Sequence, residues 1–318
     1  RIGEADYPME DLDFPTVDPK DPYALTPEED KLISQLTRSF LYSQKLQRHV
    51  RFLYSKGSLY KVFNGNVLFH GCIPMTEDGE FLKLSIGCKE LSGKAFLDYA
   101  DLTARRAYYS KPGSKERQFG MDFLWWLWAG RNSPIFGRDR MTTFERRFIK
   151  DEDTWTEPKN AYYRLYNDPQ VCDRILEEFG LGGEHCHIIN GHIPVKSKKG
   201  ESPIKGGGKL LVIDGGFCKA YQKTTGIAGY TLIYQLPAPG VSRAFCRTGG
   251  RHPGQPGHCL HLGDLRAHGA PHEDRGDRRG PPAPGADRRS DVPGGRLPQR
   301  RHRGRPQGIA WEKARCVP

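Results

Sequence analysis

The chain lacks a long apolar run, a Cys-x-x-Cys pair, a GxxxxGK[ST] phosphate loop and any internal repeat. Its longest apolar stretches are far too short for a membrane-spanning helix. The first fifteen residues carry Glu, Asp and Pro with no apolar h-region, so no secretory signal is read. A soluble protein of the cytoplasm, with no membrane partner, is the expectation. Residue 1 is arginine, not methionine, which suggests a chain read from partway through a gene product. Five cysteines (Cys72, Cys88, Cys172, Cys186 and Cys218) fall in the first 235 residues. An odd number without close pairs fits reduced thiols better than a disulfide framework or a zinc ribbon.

What is scarce also divides the chain. After Gln235 the last 83 residues contain one Lys, one Ile and one Phe, and no Tyr, Asn or Met. They hold 15 Arg, 14 Gly and 12 Pro instead. With 16 basic against 7 acidic residues this tail carries +9 of the overall +11, leaving +2 for the first 235 residues. The basic balance is therefore a property of the tail and not of a folded face. Three parts follow: a linker and helical segment over 1–57, a folded body over 58–235, and a tail over 236–318 expected to be disordered.

Two strings carry chemistry: Val67-Leu-Phe-His-Gly-Cys-Ile-Pro74 and Cys186-His-Ile-Ile-Asn-Gly-His-Ile-Pro-Val195. Each is an aliphatic run with a histidine and a glycine at its end, which places His70 and His192 where buried strands leave a sheet. Open α/β sheets present ligands at the carboxyl ends of their strands. Neutral imidazoles there suit manganese, iron or zinc. A hydrogen-bonded structural histidine is the competing reading of each taken singly.

Around them, Thr26-Pro-Glu-Glu29 is a capping box opening a helix to about Tyr54, with Leu32, Leu36, Phe40 and Leu41 at helical spacing. Asn64-Gly65 marks a type I′ turn between strands 58–63 and 66–69. Residues 92–109 and 117–128 read as helices, the second with Trp125, Trp126 and Trp128 on an apolar face assigned to the core. Asp168-Pro169 starts another helix. Strands follow at 187–190, 209–214 and 230–234, separated by a Gly/Lys/Ser-rich loop at 196–208. The body is α/β with mixed strands.

Asp214, at a strand end, is the nearest candidate carboxylate, with a turn Asp before Gly-Gly as the plain alternative. Arg131, in a Gly/Asn/Ser/Pro loop after a helix, is a candidate phosphate ligand, against a solvated surface arginine. The run 196–209 holds five lysines, among them Lys205, which could meet a second anionic group or simply form a surface loop.

LFHGCIP and INGHIPVK resemble the His-Gly and Gly-His motifs of calcineurin-like metallophosphatases. The wider wording is closer to one family. PMEDLDFPT, LQRHVRFLYSKGSLY, FHGCIPMTEDGEF, RNSPIFGRDRMTTFERRF and KSKKGESPIKGGGKLLVIDGGFCKAYQKTTGIAGYTLIY are similar to class 3 fructose-1,6-bisphosphatase, from near residue 1 to about Tyr234. The resemblance implies the C-terminal half of a metallophosphatase sandwich with helical additions. It also implies a binuclear manganese site and hydrolysis of the 1-phosphate of fructose 1,6-bisphosphate in gluconeogenesis. Carried across, His70 and His192 match metal ligands and Arg131 a phosphate-binding arginine.

The family's D-x-H, G-D-x-x-D-R-G and G-N-H-[DE] motifs do not precede His70, so the carboxylates of the site are missing and no catalytic residue is assigned. This chain by itself is expected to be an inactive fragment. The abrupt change after Tyr234 reads as a shifted reading frame. Two other functions compete: a phosphoprotein phosphatase of the same superfamily, and a nucleic-acid-binding protein using the basic tail. The tail has no repeated RGG or SR unit, which argues against nucleic acid as a partner.

Overall fold

A computed structural model describes residues 2–86, 88–214, 216, 222–225, 229–233, 243–248 and 259–262. Thr26 caps α1 (Pro27–Leu41): its hydroxyl accepts from the Glu29 N–H at 3.3 Å, and the Glu29 carboxylate accepts from the Thr26 N–H at 2.9 Å. The single helix expected to run to Tyr54 is broken in two. Ser43 leaves helical geometry, and its hydroxyl accepts from the Leu46 N–H, capping a second helix, α2 (Gln44–Lys56). Serine competes for backbone donors in this way and so favours helix starts over interiors. Neither helix has a buried residue, and Leu32, Leu36, Phe40 and Leu41 are exposed.

Strands β1 (Tyr60–Phe63) and β2 (Asn66–Phe69) form the expected hairpin. Asn64 (φ 49°) and Gly65 (φ 69°) supply the two positive φ angles that a type I′ turn needs. A small hairpin, β3 (Leu84–Ile86) with β4 (Lys89–Leu91), leads to α3 (Gly93–Tyr109) and α4 (Lys115–Ala129). These two helices pack where Gly120 meets Ala107, so closely that a Cβ on Gly120 would lie 2.3 Å from that of Ala107. Phe96, Ala100, Phe123 and Leu127 fill the contact. Trp126 packs against this cluster, but Trp125 and Trp128 are 64% and 55% exposed and lean on one another at 5.0 Å. The three tryptophans are thus not the buried face the sequence suggests.

Helices α5 (Thr143–Phe148) and α6 (Tyr162–Leu165) are short. Helix α7 (Pro169–Glu178) begins at its Asp168 cap and buries Val171, Cys172, Ile175 and Leu176. Strands β5 (His187–Asn190), β6 (Ile204–Lys205) and β7 (Leu210–Val212) complete a five-stranded sheet of order β1-β2-β5-β7-β6. Its centre, β2-β5-β7, is parallel, and both edges are antiparallel. Every residue of β5 and β7 is buried, as expected for parallel strands covered on both faces. The main core lies between this sheet, α7 and the tyrosines 162, 163 and 166.

The chain continues through α8 (Gln222–Thr225) and β8 (Gly229–Ile233). Residues expected to be disordered form β9 (Arg243–Thr248) and β10 (Cys259–Leu262), in a three-stranded sheet with β8. Both segments hold apolar residues able to form strands, such as Phe245 and Leu260. The other tail residues, and Cys218, lie outside the described residues. The all-reduced expectation also needs one correction. Cys88 is in a disulfide, while Cys72, Cys172 and Cys186 are free. The architecture is α/β with a mixed sheet and helices. No helix among the described residues is long and apolar enough to cross a membrane.

Candidate metal and phosphate site

Parallel pairing of β2 with β5 sets Phe69 opposite Asn190, so both strands end side by side and release His70 and His192 together. The His70 Nε2 and His192 Nδ1 atoms lie 3.2 Å apart, with the rings nearly perpendicular at 81°. The other nitrogen of His192, Nε2, is 2.9 Å from the Phe136 carbonyl oxygen. A carbonyl only accepts, which assigns the proton to Nε2 and leaves a lone pair on Nδ1, facing His70. Burial first, then His70, pushes the His192 imidazole below its ordinary value, against the opposing pull of the Phe136 carbonyl. The ring is therefore neutral at pH 7. His192 also has φ +66°, a left-handed conformation unusual for a residue with a Cβ and typical of functional sites.

Neighbouring residues hold this arrangement. The Asn190 side chain, 1% exposed, donates to the carbonyls of Phe69 (3.2 Å), His70 (3.0 Å) and Gly71 (2.8 Å), tying down the exit of β2. Gly71 must be glycine, because a Cβ there would sit 1.9 Å from the Pro134 carbonyl oxygen. The Cys72 N–H donates to that same oxygen at 2.7 Å. Buried Ser133 donates to the Leu127 carbonyl and accepts from the Ile135 and Phe136 N–H groups. That fixes the segment whose Phe136 carbonyl holds His192.

The other expected residues behave differently. The Asp214 carboxylate accepts from the Gly216 N–H at 2.8 Å, which is the turn role, although its charge also acts on His192. Arg131 is 73% exposed, 3.6 Å from the Asp139 carboxylate, and lines an apolar cavity of about 460 Å³ with Trp125, Trp126 and Phe123. It is not brought to the histidines. Loop geometry explains this: Arg131 lies before buried Ser133, on the α4 side of the turn. Lys205 pairs with Glu201 at 2.9 Å and sits 5.7 Å from the Tyr166 ring centre.

Arg138, which the sequence reading passed over, is the arginine whose charge reaches His192. Its signal was faint: a second arginine after a glycine in the same string as Arg131. Asn190 carried none beyond its place before Gly191. In kind, the two imidazoles suit a first-row metal ion, and the carbonyl behind His192 is the usual outer partner of a metal-bound histidine. In number they are half a site, since no group of three or more His, Cys, Asp or Glu among the described residues could hold an ion.

A model of the Firmicute fructose-1,6-bisphosphatase family matches residues 1–238. The chain is 58% identical over 228 residues to the fructose-1,6-bisphosphatase class 3 of Clostridium novyi (strain NT), covering 72% of this chain and 34% of that protein. It is 56% identical over 235 residues to that of Clostridium botulinum (strain Okra / Type B1), 74% and 35% respectively. The Clostridium tetani (strain Massachusetts / E88) protein is 58% identical over 228 residues, 72% and 34%. The chain thus spans about a third of the length of the curated relatives it matches. No solved structure matches it.

Proposed function

We propose that this chain, which belongs to the Firmicute fructose-1,6-bisphosphatase family, carries part of a metal site that hydrolyses the 1-phosphate of fructose 1,6-bisphosphate in gluconeogenesis. The observation that carries this reading is the His70–His192 pair at neighbouring parallel strand ends, with the His192 lone pair turned inward by the Phe136 carbonyl. The relatives' name, fructose-1,6-bisphosphatase class 3, supports the substrate. His70 and His192 would hold manganese of a binuclear centre. Such ions supply an activated water and neutralise charge on the transferring phosphoryl group.

The chain's own residues have narrower tasks. Burial keeps His192 uncharged, so its Nδ1 lone pair is available near pH 7. Asn190 fixes the backbone at His70, and Ser133 fixes the carbonyl behind His192. Arg138 adds positive charge beside the pair, where an arginine can bind phosphate bidentately. In this reading the sheet is the C-terminal half of a calcineurin-like sandwich in the cytoplasm. The carboxylates come from sequence that the longer relatives contain. A shifted frame near Tyr234 would account for the tail, and resequencing the locus tests it.

The functional test mixes the purified chain with the part of the Clostridium novyi protein that lies outside the match, with Mn2+, and follows phosphate release from fructose 1,6-bisphosphate. Release is expected from the mixture only, and is lost with His70→Ala or His192→Ala. Turnover by the chain alone, or by the mixture with both histidines removed, would refute the reading.

A further inference from the structure

A second charged cluster flanks the histidines. Arg138 and Lys159 face each other across an antiparallel bridge. The Asp139 N–H donates to the Pro158 carbonyl at 2.9 Å, and the Asn160 N–H to the Gly137 carbonyl at 3.0 Å. This pattern makes Arg138 and Lys159 the closely spaced, non-hydrogen-bonded pair, with α-carbons about 4.5 Å apart and side chains on one face. Like charges set directly opposite are destabilising. Arg138 is answered in part by Glu157, whose carboxylate lies 3.0 Å from its guanidinium. Lys159 makes no ion pair among the described residues.

Lys196, four residues beyond His192, adds to the same patch. Its charge acts on Lys159, as that of Arg138 does. Its backbone N–H donates to Glu201 at 2.8 Å, and the other oxygen of Glu201 takes Lys205 at 2.9 Å. The four cations (Arg138, Lys159, Lys196, Lys205) therefore face two carboxylates (Glu157, Glu201), an excess of two positive charges. Both carboxylates are already engaged. Although Lys159 reaches solvent, partial burial first, then Lys196 and Arg138, lower its ammonium below the ordinary value, with Glu201 opposing. An arrangement that stores cation repulsion without a counter-charge is built for an anion.

We propose that Lys159, with Arg138 and Lys196, binds the phosphate of the sugar bisphosphate that is not hydrolysed, and so selects bisphosphates over monophosphates. The assignment rests on the function proposed above for the histidine pair. Position supports it. Arg138 stands two residues after the carbonyl that holds His192, and Lys196 follows His192 on the same strand exit, so the cluster borders the histidine site. The net charge of +2 matches a phosphomonoester dianion.

The test uses the full chain with ¹³C-labelled lysine, titrated with inorganic phosphate, fructose 6-phosphate and fructose 1,6-bisphosphate, and followed by NMR. The Lys159 signal is identified by its loss in Lys159→Gln. All three ligands are expected to shift it and to raise the pH at which it titrates, since a bound dianion favours the ammonium. Lys159→Gln should weaken phosphate binding about tenfold or more, or roughly 1.4 kcal/mol, while Lys159→Arg retains most of it. Unchanged affinity in Lys159→Gln, or phosphate binding that leaves Lys159 unshifted, would overturn the proposal. The readout needs neither metal nor turnover, so failure of the hydrolysis experiment leaves it intact, and the reverse.

Discussion

Replacing Asn190 should loosen the histidine pair without touching either ring. The Asn190 amide has two protons for three carbonyl oxygens at 2.8–3.2 Å, and it is 1% exposed. Two hydrogen bonds lost at about 1 kcal/mol each, and carbonyls left buried at about 1–3 kcal/mol, set the upper end of the cost. The Asn190 Oδ1 is itself buried without a partner, so its removal returns part of this. For Asn190→Ala we expect about 2–3 kcal/mol of destabilisation, a lowering of Tm by roughly 4–12 °C in a folded body of this size. Denaturant unfolding at pH 7 measures it. Asn190→Asp is the sharper test, because it keeps the shape and aims a carboxylate at three carbonyls. It should be the less stable of the two at pH 7. It should recover as pH falls, because its carboxyl is easier to protonate in the folded chain and the protonated form can donate. Native-like stability of Asn190→Asp at pH 7 would mean that the three carbonyls do not converge on the amide, and would refute the argument.

Gly71→Ala should be poorly tolerated, at about 1–3 kcal/mol or more, because the added Cβ would lie 1.9 Å from a backbone oxygen. It should also weaken Mn2+ binding seen by EPR. Gly191→Ala, whose Cβ would meet His70 Nδ1 at 3.3 Å, should be milder. Among the three free cysteines, iodoacetamide at pH 8 should modify half-buried Cys186 first. Burial, then Asp173 and Asp168, raises the Cys172 thiol to about 12. Rapid labelling of Cys172 in the native chain, read by peptide mass spectrometry, would contradict this. Burial works against charge on Glu157, but the Thr142 N–H and hydroxyl and Arg138 outweigh it and hold its carboxyl below the ordinary 4.5. Its stabilisation is therefore present above about pH 4.5 and lost as pH falls through the lowered value. Glu157→Gln should destabilise by about 1–2 kcal/mol at pH 7 and converge with the native chain at pH 3. A constant difference across that range would count against the assignment.

The parallel centre of the sheet was legible because its signal is local. Four consecutive buried residues in β5 and three in β7 can only be aliphatic-rich runs, and an Asn-Gly turn specifies the β1–β2 register within a few residues. The helices were legible as elements but not as surfaces. In α4 the residues Gly120, Phe123 and Leu127 recur at i, i+3 and i+7 and face α3. Trp125 and Trp128, three apart, fall together on another side of the helix. A helix apolar around most of its circumference does not say from its sequence which stripe finds a partner. The break at Ser43 was missed for a related reason: one hydroxyl cap decides it inside a continuous helical pattern.

The site divides along the same line. His70 and His192 could be picked out because strand, turn and ligand lie within a few residues of each other. What makes His192 usable depends on contacts 56 or more residues away in sequence: the Phe136 carbonyl that sets its tautomer, and the Ser133 hydroxyl that sets Phe136. Arg131 and Arg138 are chemically equal candidates in one string, and only the packed turn between them separates their fates. Ser133 is buried there, and Gly137 has φ +61° against the Tyr163 ring. Arg131 is left on the α4 side with Asp139, while Arg138 is carried over to Glu157 and the field of His192. Residue type and spacing can thus nominate a phosphate ligand within a string, but the choice among equals belongs to long-range packing. That is why a lysine with no sequence signature, Lys159, emerges beside the histidines while Lys205, prominent in its lysine-rich loop, is spent on Glu201.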